Sequence, residues 1–494
     1  MLTANDIAQA WGGHPFPVVR GGFSAGRQDS RLVTPGSLFI ALRGETQDGH
    51  VFIRDALSRG ATGLLVERVP DGMAAGSVID LRLGGQNPGI EPEPPIVFVV
   101  ENSLRALQLV AHYWRRRHVA QVVGVTGSVG KTSTKEMIAA VLGTRFCTLK
   151  NEKNLNNEIG LPLTLLQLTS RHQRAVLEMG MYDVGEIHQL CQIAEPRLGV
   201  VTNVGPSHLE RLGSLDRVAQ AKAELVEALP ADGVAILNGD DLRVRAMASR
   251  MIGDVFTYGR QSDCDLWADD VESHGLHGIS LRLHHLQESV FLRVPLLGEH
   301  SAYTVLAAAA VGLVEKLSWA EITAGLNLVP AQLRLVVAAG INGSTLVDDS
   351  YNSSPASALA ALQLLSELDG SHVAVLGDML ELGAYEDEGH RLVGRRAAEV
   401  VSYLLVVGPR GRLIGVEALA KGMPTGSVSF AADNAEAIAA LRARLQPGDC
   451  VLIKGSRGMK MEEIVTALRN PAADHGDVTG RKPAERAGDT LPQR

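Results

Sequence analysis

Apolar positions fall in short runs along this chain, and between them the spacing turns helical or polar. LFIALRG (38–44) predicts a strand after the turn at Pro35-Gly36, and ATGLLVE (61–67) predicts another. Between them VFIRDALSRG (51–60) has helical apolar spacing and ends on a C-cap-like glycine. GGQNPGIEPEPP (84–95), rich in Pro and Gly, marks a loop or boundary. SLRALQLVAHYWRRRH then predicts a helix feeding the strand VVGVT (122–126), with WRRRH (114–118) as a solvated face. Further strands are AVLEMG (175–180), LGVVTNVG (198–205) and GVAILNG (233–239). After Pro330 the pattern resumes with TLVDD (345–349), HVAVLGD (372–378), YLLVVG (403–408) and CVLIKGS (450–456), separated by Ala/Leu-rich helices. Alternation of this kind specifies α/β domains with mainly parallel sheets and crossover helices.

The breaks in the pattern divide the chain at 1–97, 98–331 and 332–468, leaving 469–494 as a polar, aperiodic tail that reads as disordered. The length of 494 residues agrees, since a domain takes roughly 100–200. Hydrophobic residues at 45% supply several cores, and 52 glycines with only 4% aromatics suit layered α/β packing. The net charge of −8 gives no global field for nucleic acid, so an anionic ligand needs a local site. Cys147, Cys191, Cys264 and Cys450 are scattered, as in a reducing compartment. MLTANDIAQAW lacks a basic n-region, and the longest apolar run, about 304–314, falls short of the ~18–20 residues of a membrane span. The expectation is a cytoplasmic protein with no membrane insertion and no nucleic-acid partner.

The sharpest local chemistry lies in VVGVTGSVGKTSTKEMIAAVL. A β-branched run leads into Thr126-Gly127-Ser128-Val129-Gly130-Lys131-Thr132, and a helix with apolar Met137, Ile138, Val141 and Leu142 follows. Glycines let the backbone amides curl toward phosphate oxygens, and the helix N-terminus adds positive potential. Lys131 reaches the β/γ-phosphates, and the Thr132 hydroxyl suits Mg²⁺. The general phosphate-loop pattern has its first glycine at a position held here by Val125; the glycine sits instead at 127. Glu178 ends the strand AVLEMG and His208 follows the next strand, so both fit as metal partners beside the loop. No N/T-K-x-D guanine signature is present, which disfavours a GTPase switch. No G-x-G-x-x-G follows the strands of the third block, so dinucleotide binding is unsupported there.

TGSVGKTSTKEM, NEKNLNNEIGLPLTLL (151–166), LEMGMYDVGEI (177–187), TNVGPSHLERLGS (202–214), AKAEL (221–225), DDSYNSSPASALAAL (348–362), VLGDMLELG (375–383) and LIKGSRGMKMEEIV (452–465) occur in order. Together they resemble the Mur ligases, from about residue 29 to 468. N-x-N-N-x-x-G-x-P, D-D-S-Y-N and L-G-D-M-L-E-L-G point to the branch that joins D-Ala-D-Ala to UDP-MurNAc-tripeptide. The central motifs are shared with folylpolyglutamate synthases.

The resemblance implies a UDP-binding N-terminal domain, a central ATPase domain with Mg²⁺, and a Rossmann-like C-terminal domain admitting the amine, in a monomer. It implies that the tripeptide carboxylate attacks the ATP γ-phosphate and that the dipeptide amine then displaces phosphate from the acyl phosphate. A carboxylate nucleophile is already ionised at pH 7, which agrees with the absence of Ser/His/Asp nucleophile machinery.

Carried over by position, Ser30 and Arg31 take the uridine-diphosphate end, and Asn154, Asn156 and Asn157 contact the UDP-sugar. Arg334 reaches phosphate from the linker, while Asp349, Tyr351 and Asn352 lie over the nucleotide. Lys454, Ser456 and Arg457 meet the incoming dipeptide. Lys222, in AKAEL, is implied to be a carbamylated lysine that helps hold the metal. Where the family has an adenine-contacting Asn, this chain has Thr304, and the family's A-N-P reads Ser353-Ser354-Pro355. Two alternatives stay open: a related ligase adding another amine, such as a diamino acid or glutamate, and a P-loop ATP-binding regulatory protein.

Overall fold

The structure is a computed structural model and describes residues 1–12, 22–44, 47–83, 93–152, 154–328 and 336–470. Arg334, the 84–92 part of the proline-rich stretch and the tail from 471 lie outside the described residues.

Three sheets carry the fold. The first has five strands, all paired in parallel: Gly26–Arg27, Leu38–Ile40, Gly63–Val66, Ile96–Val99 and Val78–Asp80, in that spatial order. VFIRDALSRG forms a helix over Ile53–Ser58 that stops before Gly60, at φ +93°.

The second sheet runs, in spatial order, Thr148–Lys150, Arg174–Glu178, Gln121–Thr126, Leu198–Val201, Val234–Asn238, Asp254–Gly259 and Leu266–Ser273, all parallel. Ile279–His285 and Glu288–Val294 then extend it as antiparallel strands. Successive residues of a strand face opposite sides, so each central strand feeds two cores. Val122 and Leu177 pack with the helix Ser103–Arg116, while Val123, Val125 and Val176 pack with Met137, Ile138, Val141 and Leu142. This two-sided covering is why these strands read as unbroken apolar runs.

The third sheet runs Val336–Ala339, Thr345–Asp349, Asp449–Lys454, Ser371–Gly377, Tyr403–Val407 and Val428–Ala431, parallel except for its first strand.

Two features depart from the sequence reading. WRRRH is not a solvated face throughout: Trp114 is buried with Nε1 donating to the Leu168 carbonyl (3.1 Å), and Arg115 donates to the Ala194 carbonyl (2.9 Å). These residues turn inward because the helix packs against helices Gly160–Leu165 and Glu186–Ala194. The antiparallel extension at 279–294 was not anticipated, although its alternation, I-S-L-R-L-H-H, has the strand period. Among the described residues no helix is long and apolar enough to cross a membrane.

Candidate active site

The loop after strand Gln121–Thr126 enters helix Lys131–Gly143 through two glycines with positive φ, Gly127 at +151° and Gly130 at +84°. A Cβ at Gly127 would collide with the Thr202 hydroxyl, so the close approach of the neighbouring loop requires glycine. That neighbour pins the phosphate loop. Asn203 Oδ1 accepts from the Val129 amide (2.9 Å), Thr202 Oγ1 donates to the Val129 carbonyl (2.8 Å), and the Gly205 amide donates to Ser128 Oγ (2.9 Å). Lys131 Nζ folds back to donate to the carbonyls of Gly127 (2.8 Å) and Ser128 (3.3 Å).

Glu178 ends the strand beside the loop, in register with Val125. Its carboxylate is buried, accepting from Thr132 Oγ1 (2.6 Å) on one oxygen and from Asn156 Nδ2 (2.8 Å) on the other. Asn151, fully buried, brackets the Glu178 peptide: its Oδ1 accepts from the Glu178 amide (2.9 Å) and its Nδ2 donates to the Glu178 carbonyl (3.1 Å). Buried Lys135 in turn donates to the Asn151 carbonyl. Neither Asn151 nor Lys135 was singled out from the sequence, although Asn151 heads the asparagine run. Asn157 caps its own turn through the Gly160 amide (2.9 Å), and Asn154 stays exposed. The Thr132 hydroxyl and Glu178 carboxylate form an oxygen-donor pair suited to a hard cation. Among the described residues no three His, Cys, Asp or Glu side chains converge on a metal.

Lys222 lies on helix Leu215–Glu227, 2% exposed, and among the described residues no hydrogen bond or ion pair reaches it. Burial pushes its pKa well below the usual 10.5, and the nearby charge of Lys131 pushes it in the same direction. His208 follows Ser207, whose hydroxyl bonds Ser128 Oγ (3.0 Å), so the histidine stands next to the phosphate loop.

A second cluster sits at the strand ends of the third sheet. Lys454, 2% exposed, donates to Asp349 Oδ2 (2.6 Å) and to the Asn352 carbonyl (2.8 Å). Arg457 donates to the Tyr351 hydroxyl (2.7 Å) and stacks over its ring. Ser456 Oγ accepts from the Leu380 amide (2.8 Å), tying the 380–385 loop to this cluster. The next residue, Glu381, reaches across to His208, and the hydrogen bond from His208 holds its carboxyl below the usual range against the opposing effect of burial. Nothing in the sequence pairs these two residues.

Ser30 and Arg31 remain apart in the 3-10 turn Ser30–Leu32 between two strands of the first sheet, with Arg31 paired to Asp29 (2.7 Å) and Ser30 buried. Thr304 is buried in helix Ala302–Val314. Its neighbour Tyr303 donates to Asp240 Oδ2 (2.9 Å), and burial, with that bond, pushes its hydroxyl up to about 12. Beside Asp240 opens a cavity of about 410 Å³ lined also by Leu242, Arg245 and Gln261.

Residues 27–115 match the Mur ligase family catalytic domain, 125–312 the Mur ligase middle domain and 333–457 the Mur ligase glutamate ligase domain. The chain belongs to the Mur ligase family. It is 36% identical over 445 residues to the UDP-N-acetylmuramoyl-tripeptide–D-alanyl-D-alanine ligase of Bacillus subtilis, covering 89% of this chain and 92% of that one. The Escherichia coli enzyme of the same name is 37% identical over 450 residues, covering 89% and 92%. Among solved structures, MurF from Acinetobacter baumannii superposes with a TM-score of 0.80 at 29% identity, covering 94% of this Mur ligase and 98% of that chain. MurF of Thermotoga maritima in complex with ADP gives 0.74 at 27% identity, covering 90% and 96%. The folylpolyglutamate synthase of Mycobacterium tuberculosis, 18% identical with a TM-score of 0.58 over 74% of this chain and 94% of its own, shares the fold.

Proposed function

We propose that this Mur ligase joins D-Ala-D-Ala to UDP-MurNAc-tripeptide at the expense of ATP, through an acyl phosphate, in the cytoplasm and as a monomer. The observation that carries the reading is similarity at 36–37% identity, across about nine-tenths of the chain, to ligases named for that reaction. The ADP complex of the Thermotoga relative supports a nucleotide at the phosphate loop.

The tripeptide carboxylate attacks the γ-phosphorus, the bond to the β-phosphate oxygen breaks, and ADP leaves. The dipeptide amine then attacks the acyl carbon, loses a proton, and phosphate departs. Lys131 exchanges its two loop carbonyls for phosphate oxygens and offsets charge on the moving phosphoryl group. Mg²⁺, when bound, neutralises phosphate charge and aligns the transfer. Thr132, Glu178 and His208 would hold it, with Lys222 as its carbamate. A carbamate forms when the amine adds to CO₂ and releases a proton, turning a cationic side chain into an anionic oxygen donor.

The remaining assignments are part of the same proposal. Ser30 and Arg31 serve the uridine diphosphate, and Asn154, Asn156 and Asn157 the sugar side. Arg334, Thr304, Asp349, Tyr351 and Asn352 serve the nucleotide, and Lys454, Ser456 and Arg457 the dipeptide. Asn156 orients Glu178 as well, and Lys454 acts through Asp349.

Phosphate release from ATP with UDP-MurNAc-tripeptide, with and without D-Ala-D-Ala, tests the reading. Release only with both substrates is expected. Release with a free diamino acid or glutamate instead would assign the chain to a related ligase. Lys131→Ala should lower kcat on the order of 10²-fold or more with the fold intact.

A further inference from the structure

The seam between the second and third sheets joins two residues that belong to different parts of the proposed mechanism. The imidazole of His208 stands edge-on to Tyr182, ring centroids 5.0 Å apart, and its Nδ1 meets Oε2 of Glu381 at 2.7 Å. Glu381 comes from the other domain, in the loop between strand Ser371–Gly377 and helix Glu386–Val400. The backbones meet as well: the Glu210 amide donates to the Glu381 carbonyl at 3.2 Å. Both His208 and Glu381 hold left-handed conformations, with φ of 55° and 65°. Residues with a Cβ keep such backbone only where surrounding contacts fix it.

The pair's exposure argues against a role in holding the domains together. The side chains are 25% and 50% exposed, and an ion pair so wetted adds little to stability. What the contact does fix is the imidazole. A carboxylate on Nδ1 keeps the proton there and leaves the Nε2 lone pair free to ligate, the usual arrangement of a metal-binding histidine. Among the described residues no hydrogen bond occupies Nε2.

We propose that Glu381 is a positioning residue, through which docking of the third domain orients His208 for the cation at Thr132 and Glu178. The proposal rests on the reading of His208 as a ligand. It links the two halves of the site directly. Ser456 holds the Leu380 amide, Leu380 precedes Glu381, and Glu381 holds His208, so the cluster assigned to the dipeptide is tied to the residue assigned to the metal.

The test uses the full chain with ADP and Mn²⁺ as the probe, free Mn²⁺ being followed by its electron paramagnetic resonance signal, alongside kcat and KM. Glu381→Gly removes the carboxylate and relieves the left-handed backbone, so the melting temperature should not fall. Mn²⁺ affinity and kcat should drop about 10–100-fold while KM for the UDP-tripeptide holds. Glu381→Gln, which still accepts a hydrogen bond at the same reach, should recover most of that loss. Mn²⁺ affinity and kcat within twofold of the parent in Glu381→Gly would overturn the proposal, as would a Gln variant no better than the Gly variant. His208→Ala separates the two layers. If it weakens Mn²⁺ while Glu381→Gly does not, the positioning role alone falls; if it leaves Mn²⁺ unchanged, the ligand reading falls and takes the positioning role with it.

Discussion

Lys454, in the third domain, and Lys222, in the second, are each 2% exposed, yet their surroundings differ in kind. Lys454 ends the strand Asp449–Lys454, where the Asp349 carboxylate and the Asn352 carbonyl accept its hydrogen bonds. Lys222 lies on a helix with no hydrogen-bond acceptor bound to it among the described residues, and the charge that acts on it is another cation, Lys131. Burying an ammonium costs several kcal/mol unless it is paired or gives up its proton. The third domain takes the first route, while in the central domain burial drives Lys222 toward the second. Burial alone therefore does not tell a strut from a reactive group; the partners do. A paired ammonium is chemically inert, whereas a neutral buried amine is a nucleophile.

Stability should separate the two most strongly. Lys454→Met leaves Asp349 without its counter-charge and should cost about 3–5 kcal/mol in denaturant unfolding, the range for breaking a buried pair. Replacing both partners, Lys454→Met with Asp349→Leu, should recover much of that loss. Lys222→Met removes a group that has no partner to strand, so it should leave stability unchanged or raised. Equal costs at the two positions would break the comparison.

Activity should separate them by rescue. Lys222→Ala should lose most turnover, on the order of 10²-fold, with the fold intact. A short carboxylate such as acetate in solution should restore part of it by supplying the missing oxygens. Lys222→Glu should not fully substitute, because its carboxylate sits at a different reach. The stabilised Lys454→Met, Asp349→Leu pair should gain nothing from added acetate. Full turnover in Lys222→Ala would return Lys222 to a packing role.

How far the sequence discloses this contrast depends on chain distance. The phosphate loop is legible because its parts lie within seven consecutive residues, Thr126 to Thr132, between a strand and a helix with unmistakable periods. Glu178 is legible because a strand's end can be counted. The pairing of Lys454 with Asp349 spans 105 positions, and that of His208 with Glu381 spans 173, so no local pattern carries them. Lys222 sits in an Ala/Leu/Glu-rich helix whose composition reads as solvent-facing; the family resemblance marked it, and only the packing shows residues 221–226 all buried. Arg115 misled for a related reason, since a basic run reads as a wet face until the end of another helix, Glu186–Ala194, covers part of it. Thr304 shows the limit from the other side: its departure from the family is plain in the sequence, but the Tyr303–Asp240 bond beside it is not.

The gentlest perturbation leaves the chain unmutated and changes only dissolved CO₂ and pH. The sign follows from the depressed pKa of Lys222. In the unfolded chain the amine holds its proton up to about 10.5, whereas in the fold it releases it well below that. The unfolded state thus binds more protons across that interval, and this group's contribution to stability falls as pH falls. The same release exposes the lone pair that adds to CO₂, and because the addition expels a proton, higher pH favours the carbamate at both stages. Enzyme stripped of CO₂ at mildly acid pH should therefore lose a few-fold in rate, regained on adding bicarbonate. With ¹³C-bicarbonate, one carbamate resonance should appear in the parent protein and be missing from Lys222→Ala, while Lys454→Met with Asp349→Leu keeps it. A parent without that resonance, or with a rate indifferent to CO₂, would leave Lys222 a lysine buried for packing alone.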